Sequence, residues 1–202
     1  MYRYLGGNIE NVWHSYTPVY YVILSGFLKV TGWGVLQGRV FNLITSALLL
    51  AAVYAVGRRL FDWRVGLIAV LALVSDPTFF ERSRLLRNDF AAAAFAMLAY
   101  YLYEIARVRR TAGWYVGCGL AAGAGVMCHT NVLYMFGGIG LLILLENGCC
   151  ALKEKHLYVF GLAALAVMAY EIVYDIIDYK NFVLQNREES NGCLSSMLPI
   201  RS

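Results

Sequence analysis

The 202-residue sequence is poor in charge. Asp, Glu, Lys and Arg together make up 15%, against about 25% in a typical soluble domain. Apolar residues take that share at 60%, with a mean hydropathy of +0.58. These values exclude a water-soluble globule and a disordered chain alike. The five cysteines (Cys118, Cys128, Cys149, Cys150, Cys193) are odd in number and never spaced as CxxC, so neither a disulfide framework nor a zinc site is indicated. The net charge is only +4, and no basic run is long enough to suggest nucleic acid. Internal repeats and low-complexity segments are also lacking. The opening Met1-Tyr2-Arg3-Tyr4-Leu5 has no apolar core of the length a cleavable signal peptide needs.

What is present is a series of uncharged runs: Val40–Gly57, Val65–Ser75, Phe90–Tyr103, Thr111–Leu145 and Leu157–Tyr170. A helix rises about 1.5 Å per residue and crosses the hydrocarbon in roughly 20 residues. The 35 residues of Thr111–Leu145 would reach about 50 Å, too far for one crossing. His129-Thr130-Asn131 is the natural turn within them. The expectation is an all-α, polytopic transmembrane helix bundle with six crossings, at about 40–57, 64–80, 89–107, 112–128, 131–147 and 157–176. By parity, eight basic residues (Arg58, Arg59, Arg64, Arg107, Arg109, Arg110, Lys153, Lys155) fall in the loops of one side, against three (Arg82, Arg84, Arg87) in the short loops opposite, the boundary residue Arg39 excluded. The positive-inside rule puts the eight in the cytoplasm, and Trp63 and Trp114 suit an interfacial aromatic belt.

Residues 17–33 read as a helix lying in the interface. Thr17, Tyr21, Ser25 and Lys29 form a polar stripe along it, and Thr17-Pro18 suits a cap and first turn. A short crossing helix is the alternative. The expected organisation is thus an outer loop over 1–16, the interfacial helix over 17–33, the bundle over 34–177 and an outer polar tail over 178–202.

Ionisable groups collect at the outer ends of the spans: Asp76, Glu81, Arg82, Arg84, Arg87 and Asp89 around one loop, His129 at the next turn, and Glu171, Asp175 and Asp178 along the last helix. A charge at mid-membrane costs about 2.5–3.5 kcal/mol, so groups retained near the hydrocarbon face a cavity or a partner. Arginine offers a planar fork matched to phosphate. Arg84 and Arg87 would share a face if their loop were helical, and the phosphate of a lipid is the simplest ligand for them. Pairing with Glu81 or with phospholipid headgroups is the plainer reading. Asp89 is either an acid–base or metal-binding carboxylate or a cap for the helix that follows. His14 and His129 lack metal-ligand spacing, and hydrogen-bonded imidazoles are the default. Glu104 and Arg107 suit an intrahelical pair. The glycines of residues 117–125 allow close helix packing.

Four stretches resemble the GT-C glycosyltransferases, in the branch of dolichyl-phosphate-mannose protein mannosyltransferases and bacterial lipid A aminoarabinose transferases. They are His14-Ser15-Tyr16-Thr17-Pro18-Val19-Tyr20-Tyr21; Gly38-Arg39-Val40-Phe41-Asn42 running on to Val53–Phe61; Ser83-Arg84-Leu85-Leu86-Arg87-Asn88-Asp89; and Gly119–Gly123 followed by His129. The resemblance implies a polyprenyl-phosphate sugar donor, used at the lumenal or periplasmic face with inversion at the anomeric carbon. It gives the general-base or acceptor-organising role to an Asp of the first outer loop, and makes Asp89 the second acidic residue, a site carboxylate that in some branches helps hold a divalent cation (Mg2+ or Mn2+). Arg84 and Arg87 would hold the lipid phosphate, and His14, Tyr16 and His129 would line the cavity. Membrane lipids are the other expected partners, nucleic acid is not, and the membrane is a bacterial or archaeal cell membrane or the endoplasmic reticulum. The family's first crossing and its acidic loop find no counterpart before residue 10, where Glu10 is the only acid. The expectation is therefore a fragment of a longer enzyme. The competing reading is a transporter or non-catalytic subunit that uses Asp76, Glu171 and Asp175 for ion coupling.

Overall fold

A computed structural model describes residues 18–147 and 155–177. Every regular element among them is a helix: α1 (Pro18–Thr31), α2 (Val35–Leu60), α3 (Trp63–Val74), α4 (Pro77–Ser83), α5 (Asp89–Arg109), α6 (Ala112–Val126), α7 (Val132–Asn147) and α8 (Lys155–Ile177). The described residues fall into two units, 18–168 and the closing turns of α8 from 169 to 177.

Local chemistry sets the boundaries. Gly32, at a φ of +95°, closes α1, and its N–H donates to the Leu28 carbonyl at 2.9 Å. A left-handed residue after the last turn is the usual way to stop a helix, and glycine takes it without strain. Asp62 opens α3 by accepting the Val65 N–H at 2.8 Å. Asp76 opens α4 by accepting the Thr78 N–H at 2.9 Å, with Pro77 at the first helical position. The crossing expected over 64–80 is accordingly broken. α3 and α4 meet at 72°, because Pro77 has no N–H to continue α3 and Asp76 starts a new helix instead. The turn expected at His129-Thr130-Asn131 lies between α6 and α7.

Packing inverts the soluble pattern. The buried positions of α5 and α6 include Ala91, Ala92, Ala99, Ala106, Ala121 and Ala122, while Leu36, Leu48, Ile68, Leu71, Leu141 and Leu162 are exposed. Small residues that let backbones approach, with large aliphatics turned outward, are what lipid-embedded helices require. A Cβ on Gly119 would run into the Phe160 carbonyl and the Ala163 side chain, and one on Gly123 would come within 2.8 Å of the Ala164 carbonyl. Gly119 and Gly123 thus seat α6 directly on α8, while Gly125 brings it close to Phe95 and Ala92 of α5. Gly57 and Gly66 do the same for α2 and α3, where a Cβ on Gly57 would lie 2.7 Å from Gly66 Cα.

The chain forms an all-helical membrane bundle. α2 and α5 are each long and apolar enough to cross a membrane, and α3 with α4 makes a third span only as a bent pair. Six crossings is more than helix length and composition establish. α2 and α5 run parallel: Asn42 near the start of α2 bonds to the loop preceding α5, and Arg59 near its end reaches the Glu104 carbonyl near the end of α5.

Candidate functional site

The 84–88 segment is not helical, so Arg84 and Arg87 do not line up on one helical face. A single buried amide organises it instead. Asn42 is fully buried in α2. Its Nδ2 donates to the Ser83 carbonyl at 2.9 Å and the Arg82 carbonyl at 3.4 Å, and its Oδ1 accepts the Arg87 N–H at 3.4 Å. Thr45 and Ser46 hydroxyls donate back to the Asn42 carbonyl at 2.9 and 2.8 Å. A buried polar group must find partners, and here the partners are the backbone of the loop. A second tie, from Asn88 Nδ2 to the Cys128 carbonyl at 2.7 Å, fixes the loop to the α6–α7 turn.

These ties bring three expected residues together. Arg87 donates through Nε and Nη2, both 2.7 Å from Asp89 Oδ2. The other carboxylate oxygen, Oδ1, lies 3.5 Å from His129 Nε2. The His129 Nδ1 accepts the Asn131 N–H at 3.1 Å, so the proton of a neutral ring sits on Nε2, facing Asp89. Asp89 is the first residue of α5, where the helix dipole favours a carboxylate, while Asn88 occupies the cap position. The side chains of Arg87 and Asp89 are 43% and 34% exposed. Such a pair contributes roughly 0–1 kcal/mol to stability. Its consequence is positional: one oxygen is held and the other is left toward His129.

Arg84 is placed differently. Its guanidinium lies over the Phe80 ring at 3.9 Å. A face-on cation–π contact leaves the edge N–H donors pointing away from the ring. Below the cluster, α1, α2 and α5 enclose an apolar cavity of about 500 Å³ whose walls include Tyr20, Phe41, Ala91 and Phe95 near the cluster and Ala55 and Tyr101 at the far end. Ala91 is two residues along α5 from Asp89, and Phe41 precedes Asn42, so one end of the cavity lies close to the charged cluster. Tyr20 is 3% exposed, and its hydroxyl has no hydrogen-bond partner among the described residues. Burial first, then Tyr21, Cys128 and Asp89, pushes its pKa up from 10.0 to about 12, so it is a neutral donor.

A sequence model of the dolichyl-phosphate-mannose-protein mannosyltransferase family matches residues 15–174. The chain belongs to that family. Its members are membrane glycosyltransferases of the GT-C type, in keeping with the resemblance carried by the Pro18, Asn42, Asp89 and His129 stretches. No curated protein and no solved structure matches the chain.

Within this mannosyltransferase-family chain, the residues singled out from sequence fare unequally. Arg87, Asp89 and His129 converge, and Arg84 stands beside Phe80 in the same segment. His14 and Tyr16 lie outside the described residues, as do the 1–16 loop, Thr17 and the 178–202 tail, and the side chains of Glu171 and Asp175 on α8. Asp76, a candidate for ion coupling in the transporter reading, caps α4. Glu104 pairs with Arg107 at 2.9 Å. At Asp89, Arg87 sets a positive charge against the carboxylate, and no group of three His, Cys, Asp or Glu lies together among the described residues. Sequence reasoning missed Asn42, Asn88 and Tyr20. Asn42 had a signal, a lone amide in an otherwise apolar run; the other two carried none.

Proposed function

We propose that this chain transfers a sugar, such as mannose, from a polyprenyl-phosphate donor to a hydroxyl of a protein, lipid or glycan acceptor, with inversion at the anomeric carbon. The observation that carries the reading is the juxtaposition of the Arg87–Asp89–His129 cluster with an apolar cavity large enough for a lipid chain. A polyprenyl-phosphate sugar has that same division, a singly charged phosphodiester head on an isoprene chain, and its phosphate gains a second charge as the sugar leaves. By the positive-inside rule the cluster faces the lumen or periplasm.

Asp89 is the carboxylate that takes the acceptor's proton, and His129 Nε2–H stands beside it to hold the hydroxyl oxygen. Loss of that proton frees an oxygen lone pair to form the new bond to the anomeric carbon. The bond from that carbon to the phosphate oxygen breaks, and the electron pair leaves on the polyprenyl phosphate. A positioned base contributes about 10²–10⁴-fold, and cations that meet the charge on the departing group add to it. Arg84, whose donors are turned away from Phe80, receives the phosphate. Arg87 holds Asp89 in register. Tyr20 offers its hydroxyl to the same head group, and the isoprene units next to the phosphate enter the cavity between α1, α2 and α5. His14 and Tyr16 are assigned to the acceptor side on the resemblance alone.

The reading is tested with membranes containing the chain and a polyprenyl-phosphate mannose of defined anomeric configuration, labelled in the sugar. Label should pass to an acceptor with the opposite configuration. Transfer with retained configuration contradicts the single-displacement step, and absence of transfer above membranes lacking the chain contradicts the reading itself.

A further inference from the structure

We propose that the opposite end of the α2–α5 crevice is a second lipid site, which holds an anionic phospholipid of the cytoplasmic leaflet by its phosphate. It goes beyond the transferase reading and uses none of the residues at the Asp89 end. A polar cavity of about 490 Å³ opens there, lined by Tyr54, Ala55, Arg58, Arg59 and Tyr101. Two arginines on successive residues of one helix repel each other unless an anion lies between them. No anion of this chain does so among the described residues. Arg58 makes no hydrogen bond or ion pair there, and Arg59 makes one long contact, Nη2 to the Glu104 carbonyl at 3.5 Å. The nearby carboxylate of Glu104 is buried and already engaged by Arg107 at 2.9 Å. Asp62, just past the end of α2, is committed to the Val65 N–H.

The chemistry of the cavity lining suits a lipid head group. Two guanidinium forks match a phosphate diester's oxygens. The Tyr54 and Tyr101 rings suit the headgroup level, where amphipathic aromatics settle. Ala55 and Tyr101 belong to this polar cavity and also to the far end of the apolar one, so the two spaces meet there. A phosphate held by Arg58 and Arg59 can therefore lay an acyl chain against apolar walls without leaving the crevice. Basic pockets between transmembrane helices on the cytoplasmic side are known binders of acidic lipid head groups. The positive-inside count puts this end of the bundle on that side.

The test is native mass spectrometry of the delipidated full chain in neutral detergent, with dioleoyl phosphatidylglycerol or dioleoyl phosphatidylcholine added. Phosphatidylglycerol adducts should predominate, and the double variant Arg58→Gln, Arg59→Gln should lose them by about thirtyfold. The double variant Arg64→Gln, Arg109→Gln removes the same charge from residues outside the cavity and should keep them. Equal retention of the two lipids by the native chain would overturn the proposal, with no variant needed. An equal loss in both double variants would overturn it as well, by showing surface charge rather than a site. Displacement of the lipid by millimolar inorganic phosphate would reduce the site to a phosphate pocket and overturn the lipid assignment. None of these readouts uses a sugar donor, so the transferase reading can fail without touching them.

Discussion

Truncating the Asn42 amide would strip three backbone groups of the 82–87 segment of their partner at once: the Ser83 and Arg82 carbonyls and the Arg87 N–H. A buried group left unpaired costs about 1–3 kcal/mol. Asn42→Leu should lower the thermal midpoint of the purified chain accordingly, and should slow sugar transfer because the Arg87–Asp89 register is lost with the loop. Unchanged stability and transfer in that variant would mean the loop is held by something else. The two arginines are expected to separate kinetically. Arg84, which pairs with no carboxylate among the described residues, should act on donor binding, so Arg84→Gln raises KM for the donor with kcat little changed. Arg87 acts through Asp89, so Arg87→Gln lowers kcat. A shared loss of KM alone in both variants would contradict the different placements found for them. Sequence made the identity of these residues legible through their chemistry: arginines against the positive-inside trend and acids at span ends. Their pairing was not legible. Asp89 meets His129 and Asn42 meets Ser83 across about forty residues of chain, and no local pattern encodes a contact of that range.

Helix packing is set by where a side chain is absent. Gly119→Leu would drive four carbons into the Phe160 carbonyl and the Ala163 side chain. Overpacking of that kind costs about 1–3 kcal/mol and should separate α6 from α8, read as a lower thermal midpoint. Gly137 in α7 is the counter-case, since a Cβ there meets nothing within 4 Å. Gly137→Ala should stabilise by up to about 1 kcal/mol through helix propensity alone. Destabilisation by both substitutions would contradict the packing described. The helices themselves were legible, because uncharged runs long enough to cross a bilayer leave few alternatives, and the His129-Thr130-Asn131 turn was forced by length. The break of α3 from α4 was half legible. Asp76 and Pro77 are both helix-start residues, yet an apolar run that continues into Phe79 and Phe80 reads equally as one span. Only the backbone shows the 72° bend.

At the scale of the molecule, the crevice between α2 and α5 carries charged side chains at its two ends and an apolar lining between them. At one end lie Arg87, Asp89 and His129; at the other lie Arg58 and Arg59; between them the α2 and α5 walls are Ala, Leu, Ile and Phe, with Thr45 the one polar side chain and Tyr20 and Tyr101 marking the ends. That arrangement suits an enzyme whose substrate carries its charge at one end of a hydrocarbon chain, and the family to which the chain belongs is one of membrane glycosyltransferases. Narrowing the cavity with Ala94→Phe should weaken a long-chain donor more than a donor with a single isoprene unit. A uniform effect on both would argue that the chain does not enter there. The role of Asp89 as the base is read from sugar transfer out of labelled polyprenyl-phosphate mannose by the native protein and by Asp89→Asn, in membranes containing equal amounts of each. A loss of about 10²–10⁴-fold is expected for removal of the positioned base. Transfer by Asp89→Asn at the native rate would contradict the account.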